Sequence, residues 1–245
     1  MKKYYLETKG NYENYEFPYR VYGLMEDGDD LDELLAEGFL PTRTRKSLFY
    51  MARSVRIDLK RFELSSENRR ILRKTDYVKL EIKSLKDFDY DYKIGKFAQD
   101  FYKGKFGKKV VSAQKMKAVF TEGFFTDVLV YYDRNQDKDN PIGYCPIMKT
   151  QKSLDYVYPF YNLDYFEKNL GMGMILHAIK MAQEKGIQYF YLGTCYTEDA
   201  LYKTQFEGLE YYNGVKWIAN IEQLKSLVRG DLDQKGSITD VLIKE

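Results

Sequence analysis

The clearest pattern of apolar and polar positions lies between Leu154 and Ile218. Leu154 to Tyr161 (LDYVYPFY) is a tyrosine-rich run with β character. Asn169-Leu-Gly-Met-Gly173 then opens a helix that runs to about Lys185, with Gly186 as its C′ residue. Ile187 to Leu192 is a short apolar strand that Gly193 ends, and a helical segment and a further strand carry the pattern to Ile218. Upstream, Asp30 caps a short helix, Leu31 to Glu37, closed by Gly38. Ser47 to Leu59 alternates as one or two strands, with Arg53 and Arg56 on the polar positions. Ser65 caps a helix through Arg73, and Tyr77 to Ile82 alternates again.

Phe88 to Tyr102 has helical spacing at Tyr90, Ile94, Phe97, Ala98 and Phe101, and a basic glycine-broken loop, Lys103 to Lys109, comes after it. Ser112 caps a helix to Phe120. Phe124–Tyr132 and Ile142–Lys149 read as a β-hairpin, with Pro141 at a strand start, where a missing donor is tolerated. Ile221 to Val228 reads as a terminal helix before a polar tail. The expected architecture is α/β (α+β), and the element order of the second half matches the core of the GNAT acyltransferase fold. The expected division is an N-terminal lobe at 1–86, a GNAT-like domain at 87–228 and a tail at 229–245.

Charge changes this picture. The net charge of +2 hides a basic block, because residues 43–117 hold 22 Lys/Arg against 9 Asp/Glu while both flanks are acidic. Such segregation is the electrostatic footprint of a surface for a polyanion such as nucleic acid, although a solvated face has the same composition. Two cysteines and one histidine leave no disulfide framework and no Cys- or His-rich metal site. No apolar run reaches the length of a membrane span, and the first residues lack a signal-peptide core, so a cytoplasmic location is expected. Gly171 and Gly173 at a helix entry can let backbone N–H groups approach an anion, or can serve helix–strand packing. Cys195 with His177 as a nucleophile–base pair is the poorer reading, because His177 falls in mid-helix.

Several motifs in order carry a resemblance: Val157-Tyr-Pro-Phe-Tyr161, Asn169-Leu-Gly171, Gly186-Ile-Gln-Tyr-Phe-Tyr-Leu-Gly193, Leu201-Tyr-Lys-Thr-Gln-Phe206, Leu209-Glu210, and Asn213-Gly214 with Trp217. Together they resemble the C-terminal domain of the arginyl-tRNA–protein transferases, including the bacterial leucyl transferases that act on acidic N-termini. Gly38-Phe39, Phe49-Tyr50, Ser54-Val-Arg-Ile57 and Phe62 to Arg70 extend the resemblance toward the N-terminus, so that it covers most of residues 38–218. It implies transfer of Arg or Leu from charged tRNA to the α-amine of an acceptor protein with an acidic N-terminus. An aminoacyl ester is already activated and an α-amine has a pKa of about 8, so positioning and oxyanion stabilisation suffice.

The resemblance assigns Lys168, Gly171 and Gly173 to the donor site, and Arg69, Arg70, Arg73 and Lys74 to tRNA phosphates or an acidic acceptor group. Tyr158, Tyr161 and Tyr191 are assigned to the acceptor or aminoacyl pocket, Tyr202 and Lys203 to a polar anchor near the reacting centre, and Glu210 to proton acceptance. The chain departs from the family in lacking its N-terminal cysteine cluster, so no iron–sulfur cluster, metal or other cofactor is expected, and Asn162 stands where an acidic residue is usual. Two other readings compete. A GNAT N-acetyltransferase using acyl-CoA would need the glycines but not the basic block. A non-catalytic RNA- or degron-binding relative would need the fold alone.

Overall fold

The computed structural model describes residues 1–7, 19–42, 47–107, 111–122, 125–136 and 140–230; the expected turns at Gly10-Asn11 and Pro18, the arginines of the 41–46 loop and the tail from 231 lie outside them. The chain divides into two compact units, Met1–Phe62 with Tyr191–Glu245, and Glu63–Phe190. In the first, β1 (Lys2–Glu7), β2 (Tyr19–Leu24), β3 (Phe39–Pro41) and β4 (Leu48–Met51) form an antiparallel sheet in the order β1-β2-β4-β3. Helix α1 (Leu31–Ala36) starts where Asp30 accepts the Asp32 N–H, and it buries Leu34 and Leu35. Gly38 comes next with φ 79, where a Cβ would fall 2.1 Å from the Tyr212 ring, so both the backbone and the packing require glycine. Strand β5 (Ser54–Asp58) is buried from Ser54 to Ile57, Arg56 included.

The second unit opens with α2 (Ser66–Lys74), held by a capping box in which Ser65 and Asn68 satisfy each other's backbone N–H groups. Strands β6 (Val78–Ser84), β7 (Asp127–Asp133), β8 (Pro141–Lys149) and β9 (Ser153–Tyr156) form an antiparallel sheet in the order β9-β8-β7-β6, with β10 (Phe160–Tyr161) on β8. The expected domain boundary at 86/87 therefore falls inside this unit. β6 pairs with β7 along its full length, from Val78↔Asp133 to Ser84↔Asp127, and that pairing places residues 78–84 in one sheet with strands on the far side of the boundary. Helix α3 (Tyr92–Phe106) begins at the Asp91 cap, four residues later than expected, and ends at Gly107 with φ 66. Helix α4 (Ala113–Thr121) starts at the predicted Ser112 cap. Phe97, Phe120, Tyr144 and Phe160 meet as rings at 5.4–6.4 Å and make the core between these helices and the sheet.

The single strand expected over Leu154–Tyr161 is two strands. Tyr158 sits at φ 52 before Pro159 and separates β9 from β10, each of which pairs with β8. A 3-10 helix (Leu163–Lys168) then leads through Asn169, at φ 60, directly into α5 (Leu170–Glu184). Strand β11 (Tyr189–Thr194) returns the chain to the first unit. There a second 3-10 helix (Glu198–Gln205), β12 (Leu209–Tyr212), β13 (Trp217–Ile218) and α6 (Ile221–Arg229) complete a sheet edge in the order β13-β12-β5-β11. The class is the expected mixed α/β. The order of hairpin, strand, glycine-bearing helix and strand that the sequence pattern shares with the GNAT core is present.

Candidate functional site

The entry of α5 is built by a sharp change of direction. Asn169 ends one helix and begins the next in the left-handed region, which asparagine tolerates better than most residues. Gly171 lies against Tyr161, where an added Cβ would be 2.9 Å from the phenol oxygen and 3.0 Å from the ring. Gly173 has a different neighbour: a Cβ there would meet the Thr75 side chain at 2.6 Å. Its own N–H is spent on the Asn169 carbonyl at 2.9 Å. The missing side chain at Gly173 lets α5 approach the C-terminal end of α2. The same junction consumes His177, whose Nε2–H donates to the Thr75 carbonyl at 2.9 Å and whose pKa burial pushes down. Cys195, in the first unit, is buried with its thiol pKa raised by burial, and neither residue has the exposure or freedom of a nucleophile–base pair.

Tyr161 is joined by a residue that the sequence pattern put in a loop. Lys105, in the last turn of α3, donates to the Tyr161 hydroxyl at 3.4 Å and faces the Phe101, Phe106 and Tyr161 rings. Helical spacing from Phe97 through Phe101 to Lys105 was the available signal. It was hidden by ending the helix at Tyr102. Lys168 lies over the Tyr165 ring at 4.4 Å and the Tyr77 ring at 6.0 Å, and Tyr165 in turn donates to the buried Asp133 at 2.9 Å. Burial pushes the Tyr77 and Tyr165 phenols up to about 12, so both are neutral at physiological pH. Tyr158 does not join Tyr161: its ring meets Phe125 edge-on at 6.2 Å. The strand expected over Leu154–Tyr161 is broken at Tyr158 itself.

Helix α2 presents the predicted cations unequally. Arg70 pairs with Glu67, its Nε 2.6 Å from Oε2, and Arg69 donates to the Leu64 carbonyl. Arg73 and Lys74, both exposed in the last turn, have no ion-pair partner among the described residues. In the first unit, Lys203 donates to the Thr194 carbonyl at 2.6 Å, while the neighbouring Tyr202 ring is exposed. Glu210 is fully engaged. Arg56 Nε reaches one of its oxygens at 2.9 Å and Arg61 takes the other. Arg56 also lies 4.0 Å from the Trp217 ring centroid and donates to the Tyr191 hydroxyl at 3.3 Å. Both carboxylate oxygens of Glu210 are thus engaged by guanidiniums, which ties β12 to β5.

A cavity of about 470 Å³ in the second unit, lined by Lys83, Asp91, Phe97, Tyr132 and Tyr144 among others, contains none of the predicted site residues. Among the described residues there is no group of three or more His, Cys, Asp or Glu side chains placed to hold a metal ion. Nor is any helix among them long and apolar enough to cross a membrane.

Residues 95–213, which include α3 from Gly95 onward, Tyr161, α5 and the Tyr202-Lys203 segment, match the family model described as arginine-tRNA-protein transferase, C terminus. The aspartate/glutamate leucyltransferase of Ruegeria pomeroyi is 29% identical over 168 residues, covering 68% of this chain and 61% of that protein. The protein of the same name from Dinoroseobacter shibae is 27% identical over 174 residues, again covering 61% of its length. The chain thus spans about three fifths of the curated relatives it matches. Among solved structures, a GCN5-related glucosamine N-acetyltransferase region of a fungal multi-domain beta-N-acetylglucosaminidase is similar at a TM-score of 0.43 and 12% identity, covering 80% of this chain and 23% of that one. That likeness is too distant to bear on function. Through its 95–213 match and its leucyltransferase relatives, the chain is similar to the arginine-tRNA-protein transferase family.

Proposed function

We propose that this protein is an aminoacyl-tRNA–protein transferase, moving an amino acid from charged tRNA to the α-amine of an acceptor protein. The observation that carries the reading is the family match over 95–213, which encloses the α5 entry with Tyr161 and Gly171. The relatives' shared name favours Leu as the transferred residue and Asp or Glu as the acceptor's first residue, with Arg as the alternative donor. Such a reaction belongs where charged tRNA is found, the cytoplasm, and its product is an N-degron.

The chemistry asks little of the side chains beyond placement. The α-amine attacks an activated ester, so the protein's part is to hold the two together and to stabilise the charge that develops on the carbonyl oxygen. The donor end is assigned to the α5 entry, where Gly171 lies against the Tyr161 hydroxyl. Phosphate contact is assigned to Arg73 and Lys74, because Arg70 already has a carboxylate. The exposed Tyr202 ring is assigned to the substrate surface of the first unit, and Lys203 to fixing that segment on Thr194. Arg56, Glu210 and Tyr191 hold the first unit's sheet together.

The test is transfer of radiolabelled Leu and Arg from charged tRNA to peptides beginning with Asp, Glu or Ala, with acetyl-CoA as a parallel donor. Transfer from tRNA is expected, preferring an acidic first residue. Arg73→Ala/Lys74→Ala is expected to weaken tRNA affinity and to lower the salt-dependence slope by about 1 for each lost phosphate contact. Turnover of acetyl-CoA without transfer from tRNA would replace this function with N-acetylation. Inactivity with every donor would leave a binding protein.

A further inference from the structure

Lys105 is a cation in an unusual setting for a surface helix. Its ammonium lies 5.4, 5.6 and 5.3 Å from the ring centroids of Phe101, Phe106 and Tyr161, and no carboxylate pairs with it among the described residues. The residue as a whole is exposed, yet burial of the amine among these rings pushes its pKa down. Ring faces attract a cation, but a partly desolvated ammonium without a counter-charge still costs the fold free energy. Its one conventional partner is the Tyr161 oxygen at 3.4 Å.

That hydrogen bond has a direction. An ammonium has no acceptor lone pair, so Lys105 donates and the Tyr161 oxygen accepts. The Tyr161 O–H is left with no acceptor among the described residues. Burial raises the phenol's pKa, which keeps the proton on the oxygen. Accepting a charge-assisted hydrogen bond polarises a hydroxyl and strengthens it as a donor. The oxygen stands against Gly171, within 2.9 Å of where a Cβ would be, so the unspent O–H lies at the α5 entry, the proposed donor end.

We infer that Lys105 is a positioning residue for the proposed transfer: acting through Tyr161, it holds and polarises the hydroxyl that hydrogen-bonds the aminoacyl ester's carbonyl oxygen. The inference rests on the aminoacyl-transfer reading. In the step, the acceptor nitrogen bonds to the ester carbon and the carbonyl π pair moves onto the oxygen facing Tyr161. That pair then returns as the carbon–ribose oxygen bond breaks, and the proton lost by the amine ends on the ribose hydroxyl. Tyr161 keeps its own proton throughout.

The test measures kcat and KM for the wild type, Tyr161→Phe, Lys105→Met, Lys105→Arg and Tyr161→Phe/Lys105→Met with whichever charged tRNA the wild type uses, each variant first checked by thermal melting. Tyr161→Phe is expected to lower kcat about 100-fold, the usual loss for one oxyanion donor, and Lys105→Met about 10-fold, with acceptor KM nearly unchanged. The double variant is expected to match Tyr161→Phe, since Lys105 has nothing to act through once the hydroxyl is gone. Lys105→Arg keeps a charge at all accessible pH, so its rate relative to the wild type should rise with pH as Lys105 loses its proton. Wild-type kcat in Lys105→Met, losses that multiply in the double variant, or a flat Lys105→Arg ratio overturns the inference and leaves the transferase reading standing. If Lys105→Met does not fold, Lys105→Gln, which also removes the charge, replaces it in the single and the double variant. No transfer by the wild type overturns both.

Discussion

The two units treat a cation set against aromatic rings in opposite ways. In the first, Arg56 is 7% exposed and fully partnered by Glu210, the Tyr191 hydroxyl and the Trp217 ring. Arg61 completes the second oxygen of Glu210 and also pairs with Asp58 at 2.9 Å. In the second unit, Lys105 has three rings and one phenol oxygen but no carboxylate among the described residues. A closed network spends its donors and acceptors on holding strands β5 and β12 in register. An open one keeps a polarised hydroxyl available. On the proposed reading, the incompletely paired cation is the one that serves the transfer and the fully paired one holds the fold.

The strongest way to break this contrast is to open the closed network. Arg56→Ala leaves the carboxylate of Glu210 without its shielded partner and removes the cation beneath Trp217. Breaking such a buried pair from one side costs about 3–5 kcal/mol, which lowers the melting temperature by roughly 10 °C at this chain length. A melt within about 2 °C of the wild type would mean that the Arg56–Glu210 pair does not hold the first unit. The next effect separates packing from ligand binding at the α5 entry. Gly173→Ala forces a methyl against Thr75, at 2.6 Å before relaxation, and overpacking of this kind costs about 1–3 kcal/mol. Urea denaturation should show a lower midpoint with an unchanged slope. A fully stable Gly173→Ala protein with a raised KM for charged tRNA would assign that glycine to the donor site.

The contrast also explains what the sequence made legible. Helix starts at Asp30, Ser65 and Ser112 were readable because a cap is a local bond between a side chain and backbone two or three residues on. The basic block was readable by counting. Which of its cations are uncommitted was not, since Arg70 and Glu67 form a local pair that a charge count does not reveal. The Arg56 partner of Glu210 was not legible because it is set by strand register, Glu210↔Arg56, across 154 residues of chain. Tyr158 was misread because a tyrosine at positive φ runs against every local preference, so β propensity carried the strand straight through it. Lys105 was missed by one helical turn: Gly104 and Gly107 suggested a loop, whereas only Gly107 takes the left-handed conformation and ends α3.

The smallest expected effect has the opposite sign to the other two. If the Lys105 ammonium is retained at a cost to the fold, Lys105→Met should melt about 2 °C higher than the wild type near neutral pH, a gain of under about 1 kcal/mol. Methionine keeps the apolar contacts with Phe101, Phe106 and Tyr161 and brings no charge to desolvate. The pH dependence fixes the cause. The folded-state pKa of Lys105 lies below its ordinary value of 10.5, so the unfolded chain binds the proton more tightly. The wild type is therefore penalised in full below the folded pKa, and the penalty fades as pH rises from there toward 10.5. The advantage of Lys105→Met should be largest at neutral pH and shrink through the alkaline range. An advantage that does not change with pH would assign it to packing alone. A variant less stable than the wild type would mean that the three rings and the Tyr161 oxygen compensate the ammonium fully, and Lys105 would then belong with Arg56 among the residues that hold the fold.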